Sequence, residues 1–203
     1  MLETEIKFRA ADLGLVRSRL LEMGAVLVRE RHREDNRLYD FRGGTLAAGR
    51  SALRLRTAGR KATLTFKGQP QASRRFKIRP EYETAVGDAA AVSRILKGLG
   101  LRPVFRYVKQ RTELRLGRVH VCLDELAIGT FVELEGPRPH IARLARKMNV
   151  PSGEWIRTGY PQLLRAAGYL HGTAHSSSRS AAPGSSGSSS SSPSSSPSPA
   201  SSS

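Results

Sequence analysis

The sequence predicts an α+β fold in which about eight antiparallel β-strands close into a barrel with helices packed outside it. Apolar and charged residues alternate in short segments, which is the period-two pattern of a β-strand. Turns containing glycine, at 43–44, 58–59 and 117–118, suit hairpins between these segments. Closure of the sheet removes its exposed edges. The predicted strands cover residues 2–9, 25–31, 36–42, 51–57, 61–68, 74–85, 104–116, 119–126 and 130–136.

The helices are predicted from their capping residues. Segments 12–24 and 88–100 each begin with an Asp, which can accept hydrogen bonds from free backbone amides, and each ends at a Gly. Segments 139–148 and 161–168 begin with a Pro, which suits the first turn of a helix. We therefore expect a small number of short helices outside the strands.

Ionisable residues lie on a single face of nearly every predicted strand. Residues two apart on a strand share a face, so each Glu-x-Glu pair directs two carboxylates into the same space. Since acids and bases are mixed on these faces, the pattern favours a polar interior over a solvent-facing exterior. Paired carboxylates can hold hard cations such as Mg²⁺ or Mn²⁺. The three pairs are Glu3/Glu5, Glu81/Glu83 and Glu133/Glu135.

The N-terminal Glu3-x-Glu5-x-Lys7 resembles the signature of the CYTH superfamily, which is named for class IV adenylate cyclases and thiamine triphosphatases. The resemblance covers essentially residues 1–169 and implies a barrel whose hydrophilic bore, a triphosphate tunnel, is built from two βαβ-type halves. Further elements follow in order: Tyr39-Asp40, Arg54-x-Arg56, Lys67, Arg79-x-Glu81-x-Glu83, Lys109-x-Arg111, Asp124 and Glu133-x-Glu135.

The resemblance also implies roles for individual residues. Tyr39 and Lys67 match a Tyr and a Lys that activate the attacking water in thiamine-triphosphatase-like members. Lys7 either contacts phosphate or holds the neighbouring carboxylates in place. The implied metal ligands are Glu3, Glu5, Glu133 and Glu135, with Glu81, Glu83 and Asp124 as further ligands or their support. The implied phosphate-binding residues are Arg54, Arg56, Lys67, Arg79, Lys109 and Arg111.

Composition predicts one folded domain, residues 1–170, followed by a disordered tail. Residues 171–203 contain 18 Ser and no large apolar residue, so they cannot bury enough apolar surface to offset the entropy of ordering. The domain carries 33 of the 34 basic residues and all 17 acidic residues, a net charge of +16. Such an excess attracts polyanions.

Cys122 is the only cysteine and there is no long apolar run, so we expect a cytoplasmic protein that does not use a membrane.

Three functions agree with these observations. In the first, water attacks a triphosphate held in the tunnel, and the substrate is an organic triphosphate or inorganic tripolyphosphate. In the second, the 3′-hydroxyl of ATP attacks its α-phosphorus, as in class IV adenylate cyclases. In the third, the domain binds polyphosphate or RNA without turnover, which the many acids disfavour. His32 and His120 lie outside the family pattern, although His120 shares a face with Asp124. The sequence favours hydrolysis because it needs the fewest dedicated residues.

Overall fold

The computed structural model of the protein describes residues 2–169. The predicted tail, 171–203, lies outside this range. The described helices are α1 (Leu13–Glu22), α2 (Thr45–Ala48), α3 (Ala89–Gly98), α4 (Arg138–Lys147) and α5 (Tyr160–Ala166), with a short 3₁₀-helix at Ser152–Glu154. The strands are β1 (Leu2–Arg9), β2 (Val26–Phe41), β3 (Ala52–Ala58), β4 (Lys61–Lys67), β5 (Lys77–Val86), β6 (Leu101–Leu116), β7 (Val119–Leu126) and β8 (Gly129–Glu135).

The strands form one closed antiparallel barrel, which confirms the predicted fold. Their order around the barrel is β1-β5-β4-β3-β2-β6-β7-β8, and β8 pairs with β1 to close it. Every strand therefore has a neighbour on both sides, and no described strand presents a free edge. None of the described helices is both long and apolar enough to cross a membrane.

The prediction of two strands over 25–31 and 36–42 was wrong, because the structure has a single long strand, β2. No Gly or Pro occurs between residues 26 and 41, so nothing in the backbone forces a turn. The strand follows β6 along its length, and three register shifts, the last between Leu38 and Tyr39, absorb its irregularities. A continuous β2–β6 pair explains why nine predicted segments become eight strands.

The helix caps agree with the prediction, but one predicted hairpin does not form. Asp12 accepts a hydrogen bond from the Leu15 amide, and Asp88 accepts two from the first turn of α3. The Gly43-Gly44 turn does not join β2 to β3 directly, because α2 follows it. The carboxylate of Asp40 accepts hydrogen bonds from the Leu46 and Ala47 amides at the start of that helix. Asp40, part of the matched motif, thus organises this connection.

The hydrophobic core lies between the outer face of the barrel and the helices. Ile6 on β1, Leu20 on α1 and Ile141 on α4 belong to one fully buried cluster. On the same β1 strand, the alternating side chains of Glu5 and Lys7 point to the opposite face. The helices therefore cover the apolar face of the sheet, and the polar face is turned into the bore.

Candidate active site

The bore contains a cavity of about 1520 Å³ lined by residues from all eight strands. Every residue predicted for the site reaches this cavity except Asp124. The strand register explains this convergence, because residues directly opposite in an antiparallel pair share a face. Glu3 lies opposite Arg79, for example, and Lys7 lies opposite Glu133. The alternating pattern in the sequence is thus converted into a ring of charges of both signs.

Lys67 joins two carboxylates from neighbouring strands. Its Nζ lies 3.0 Å from Glu3 Oε2 and 2.5 Å from Glu81 Oε2. Burial and the hydrogen bond with Glu81 raise the pKa of Glu3 to about 8, although Lys67 opposes the shift. Glu3 therefore holds a proton near neutral pH. Arg54 Nη2 also lies 4.0 Å from Glu81 Oε1, so two neighbouring carboxylates share the cationic groups of Lys67 and Arg54.

Glu5 and Lys7 on β1 each form a tight ion pair with a residue of a neighbouring strand. Lys77 Nζ donates to Glu5 Oε1 at 2.5 Å, and Lys7 Nζ lies 2.6 Å from Glu133 Oε1. Burial opposes the charge on Glu5, but the ammonium groups of Lys77 and Lys7 outweigh it and lower its pKa to about 2. Burial likewise opposes the charge on Glu133, and Lys7 and Arg111 outweigh it, so its pKa is well below the usual value. Both carboxylates are therefore ionised. Glu133 is paired at both oxygens, with Lys7 and Arg111, whereas the ion pair of Glu5 with Lys77 uses only Oε1.

Asp124 is fully buried and supports two of the predicted phosphate-binding bases. Arg111 donates from Nε to Oδ1 at 2.7 Å and from Nη2 to Oδ2 at 2.6 Å. Lys109 Nζ donates to Oδ2 at 3.0 Å, and the Tyr160 hydroxyl donates to the same oxygen at 2.8 Å. Both carboxylate oxygens are thus already occupied, and Asp124 does not line the cavity. These contacts place it behind the bases as their support and not as a metal ligand.

Glu34, which the sequence analysis missed, has a similar supporting position on β2. Its Oε1 lies 3.0 Å from Arg56 Nη1, and its Oε2 lies 3.4 Å from Lys109 Nζ. Burial opposes its charge, but Lys109, Arg111 and Arg56 outweigh this and lower its pKa to about 2. No apolar alternation marks this part of β2 in the sequence, so only the pairing with β6 reveals that Glu34 faces the bore.

The predicted phosphate-binding arginines differ in how fully their donors are used. Arg54 Nη2 donates to Thr65 Oγ1 at 3.1 Å and to Glu83 Oε2 at 3.4 Å. Its buried Nε has no hydrogen-bond partner in the described part of the chain. Arg79 instead donates to the backbone carbonyls of Gly68 and Lys67. Arg54 is therefore ready to bind an added anion, whereas Arg79 chiefly fixes the end of β4.

Tyr39 is not placed for the catalytic role that was expected of it. Although the residue reaches the cavity wall, its ring packs in a core cluster with Leu55, Leu96 and Leu101. Its hydroxyl donates to Ser93 Oγ on α3 at 2.9 Å. Tyr39 faces Leu53 in the β2–β3 register, on the apolar side of the sheet. The structure thus separates this hydroxyl from Lys67, its predicted catalytic partner.

Tyr160, which was not among the predicted site residues, has a hydroxyl that reaches the charged network. It begins α5, and its ring lies under two ammonium groups, 4.2 Å from Lys7 Nζ and 5.0 Å from Lys109 Nζ. Burial, together with Glu133 and Asp124, raises its pKa well above the usual value, so the phenol stays protonated and acts as a donor. Its ring packs against Phe131 in an apolar cluster next to the β7–β8 turn.

The carboxylates that reach the cavity fit a hard divalent cation in the chemistry of their donors. They offer only oxygen, as Mg²⁺ and Mn²⁺ prefer. Burial and the neighbouring Glu81 raise the pKa of Glu3, as expected where two carboxylates lie close together. Glu83 and Glu135 are the more exposed members, each with 43% of its side chain accessible. The candidate set is Glu3, Glu5, Glu81, Glu83, Glu133 and Glu135.

Solved structures with the same fold come from bacteria, archaea and plants. A protein from Vibrio parahaemolyticus, provisionally named an adenylate cyclase, has a TM-score of 0.74 at 20% identity, with 81% of this chain and 98% of that one covered. PH1012 from Pyrococcus horikoshii OT3 has a TM-score of 0.67 at 20% identity, with 79% and 98% covered. HpAC1 from Hippeastrum, described as an adenylyl cyclase candidate with a dominant triphosphatase activity, has a TM-score of 0.61 at 19% identity, with 83% and 96% covered.

Sequence comparison agrees with this fold. At the identities above, the structural likeness concerns the fold alone, and no curated protein matches the chain. The family model for the CYTH domain, however, matches residues 1–152, which include all eight strands and the whole ring of charged residues. With this match and the closed barrel on which those charges converge, the chain belongs to the CYTH family.

Proposed function

We propose that this protein is a divalent-metal-dependent enzyme that binds a triphosphate in the bore and cleaves it by attack of water. The observation that carries the proposal is the mixture of buried acids and bases around one cavity. A site that only binds anions would need the bases alone, since carboxylates repel phosphate. Acids and bases together suit a substrate that is bound as a complex of phosphate and metal.

In this proposal the bases hold the phosphate oxygens. Arg54 and Arg56 offer planar forks of donors, and Lys7, Lys109 and Arg111 add charge deeper in the bore. Asp124 and Glu34 keep Lys109 and Arg111 in position before substrate arrives, which reduces the reorganisation needed on binding. The bound triphosphate then replaces carboxylates as an acceptor for some of these donors.

Glu3, Glu5, Glu81, Glu83, Glu133 and Glu135 would hold the cation, which we propose to be Mg²⁺ or Mn²⁺. When bound, such an ion neutralises charge on the phosphate oxygens. Lys67 lies between Glu3 and Glu81 and would orient the attacking water towards the terminal phosphorus. The water oxygen forms a bond to phosphorus, the bond to the bridging oxygen breaks, and the products are orthophosphate and a diphosphate. The proton of the water passes to solvent or to a neighbouring carboxylate.

The test is product analysis on the purified full-length protein. ATP, thiamine triphosphate and inorganic tripolyphosphate are each supplied with Mg²⁺ and with Mn²⁺, and the products are separated by anion exchange. Release of orthophosphate that requires the metal supports the proposal. Pyrophosphate together with cyclic AMP from ATP would replace it with a class IV adenylate cyclase. Binding without any product would leave a polyphosphate-binding or RNA-binding module.

A further inference from the structure

A second group of possible metal ligands lies in the bore, and its donors are of a different kind. Glu113 on β6 and Cys122 on β7 are register partners, and His120 lies two residues before Cys122. Each offers one ligand atom, and these atoms lie within 4.8 Å of one another. No other group of three His, Cys, Asp or Glu residues within the described range meets this condition. The carboxylates proposed to hold Mg²⁺, by contrast, are separated by lysines.

The distances within this group are close to those of a metal site. His120 Nε2 lies 3.1 Å from Glu113 Oε2, and His120 Nδ1 lies 3.8 Å from Cys122 Sγ. A tetrahedral Zn²⁺ with bonds of about 2.3 Å to sulfur and about 2.0 Å to nitrogen would separate the Cys122 sulfur from His120 Nδ1 by about 3.5 Å. Only a small movement of the side chains would therefore bring both atoms into coordination.

Two further side chains border the group and could complete the coordination. His32 Nε2 lies 3.5 Å from Glu113 Oε1, and this buried nitrogen has no hydrogen-bond partner within the described residues. Glu135 Oε2 lies 4.0 Å from His120 Nδ1. Three donors with a fourth at their border agree in number with the four-coordinate geometry of protein zinc sites.

The donors decide which metal is expected. Thiolate and imidazole favour Zn²⁺ and similar thiophilic ions, whereas Mg²⁺ takes oxygen ligands and gives up its water reluctantly. We propose that Glu113, His120 and Cys122, none of which is among the carboxylates assigned to Mg²⁺ or Mn²⁺, form a site for a thiophilic divalent cation, with Zn²⁺ as the expected ion. Glu135, at the border of this site, belongs to both groups. The site lies at the end of the bore next to the β6–β7 turn, and its occupancy does not depend on the proposed hydrolysis.

Metal titration of the full-length, metal-free protein tests this proposal. Co²⁺, a spectroscopic substitute for Zn²⁺, should bind in a ratio of one and give the intense near-ultraviolet absorption of a thiolate-to-cobalt transition. Zn²⁺ should remove this absorption, and a large excess of Mg²⁺ should not. Since Cys122 is the only cysteine, a thiolate band assigns the site without ambiguity. Absence of the band would overturn the proposal.

Variants separate this site from the carboxylates on the other strands. Cys122→Ser should abolish the band and lower Zn²⁺ affinity by more than about 100-fold, since even the loss of an outer-shell partner costs 10–100-fold. Glu5→Gln, on β1, should leave the absorption band and the Zn²⁺ affinity unchanged. If Zn²⁺ affinity falls in Glu5→Gln and not in Cys122→Ser, zinc occupies the carboxylates and the proposal is wrong. X-ray absorption on the wild-type zinc protein gives an answer without any variant, because it must detect one sulfur neighbour.

Discussion

The two sides of the bore contain the same kinds of charged residues but hold them differently. On the side formed by β2, β6 and β7, Glu34, Lys109 and Asp124 are at most 3% exposed, and each takes part in at least two ion pairs. On the side formed by β1, β4 and β5, the side chains of Glu3, Lys67 and Glu81 are 10–16% exposed, and one ammonium group serves two carboxylates.

The difference follows from desolvation. A fully buried charge is tolerated only when partners compensate it, so the β2–β6–β7 side must keep its geometry whether or not substrate is present. The β1–β4–β5 side is slightly more open to solvent, and there burial and the neighbouring Glu81 raise the pKa of Glu3 to about 8. We therefore expect substitutions on the first side to reduce stability and substitutions on the second side to reduce activity.

The largest effect is expected at Asp124. Asp124→Ala leaves Lys109 and Arg111 without their main acceptor in a site closed to solvent, and should lower the free energy of unfolding by about 3–5 kcal/mol. Urea unfolding of the variant and the wild type measures this loss of stability. The matched control is the next residue, Glu125, whose ion pair with Arg31 is exposed and should contribute at most about 1 kcal/mol. Equal losses in the two variants would contradict the proposed difference between the sides.

Lys67→Met should reduce activity more than stability, in contrast to Asp124→Ala. It removes the ammonium group between Glu3 and Glu81, and turnover of the triphosphate should fall about 100–1000-fold, as for the loss of one preorganised donor. The loss of stability should be smaller than for Asp124→Ala, because both carboxylates can protonate or reach solvent. Phosphate release and urea unfolding are measured on the same samples. Lys61→Met, at the exposed start of β4, is the control and should change neither.

The pH dependence of stability provides a third test, through Glu34. Its pKa is about 2 in the folded protein against 4.5 unfolded, so its charge stabilises the fold above pH 4.5 and this contribution is lost as the pH falls towards 2. The contribution is about 3 kcal/mol, since one pKa unit corresponds to about 1.4 kcal/mol. Urea unfolding should therefore show a large difference between wild type and Glu34→Gln at pH 6, and less than half of it at pH 3.

Glu30→Gln is the control for this experiment, because Glu30 lies on the same strand in an exposed ion pair with Arg17. Its difference from wild type should be small at both values of pH. A Glu34→Gln difference that stays constant between pH 6 and pH 3 would show that the Glu34 carboxylate is not held in its charged form.

A smaller effect, on binding of tripolyphosphate, is expected when the planar guanidinium group of Arg54 is replaced. Arg54→Ala should weaken binding of tripolyphosphate by about 10–100-fold, the range for a hydrogen bond to a charged group. Arg54→Lys should recover only part of this, because an ammonium group cannot reproduce the planar fork. Arg37→Ala removes an equal charge from the outer face of the neighbouring strand. If calorimetry shows the same loss for Arg54→Ala and Arg37→Ala, Arg54 acts only through the overall field.

The smallest effect, on the free energy of unfolding, is expected from removing the C-terminal segment after residue 170. Ending the chain after residue 170 removes the Ser-rich segment and should change the free energy of unfolding by less than about 0.5 kcal/mol. Ending it after Tyr160 removes most of α5, including Leu164, whose burial contributes about 1.5–3 kcal/mol. Thermal melting compares the two truncations. Identical melting would mean that the boundary near residue 170 is misplaced.

Much of the site was predictable because a strand obeys a simple rule. In Glu3-x-Glu5-x-Lys7 and in Lys109-x-Arg111, charged residues alternate with residues of the opposite face, and the structure places all five side chains at the cavity. The same rule applied to β5 would have added Lys77, which lies two residues before Arg79 and pairs with Glu5.

The prediction for Tyr39 was less successful because the motif carries no information about the face of the strand. In the regular β2–β3 register Tyr39 lies opposite Leu53, on the face that alternates with the one of Arg54, so its hydroxyl meets Ser93 on α3. Tyr160 was missed for a related reason. It lies on a helix far along the chain, and no spacing rule links it to Asp124, its hydrogen-bond partner.

Local patterns along the chain were enough to predict which residues alternate, the approximate positions of four of the five described helices, and hence a closed barrel with a charged interior. These are local properties, fixed by backbone geometry and by the period of two residues along a strand. How the charges are paired became visible only in the folded protein. The tertiary structure placed Asp124 and Glu34 behind the bases, left Glu3 and Glu81 to share Lys67, and brought His120 and Cys122 next to Glu113. Pairing depends on register and burial, which arise only when strands distant in the sequence meet.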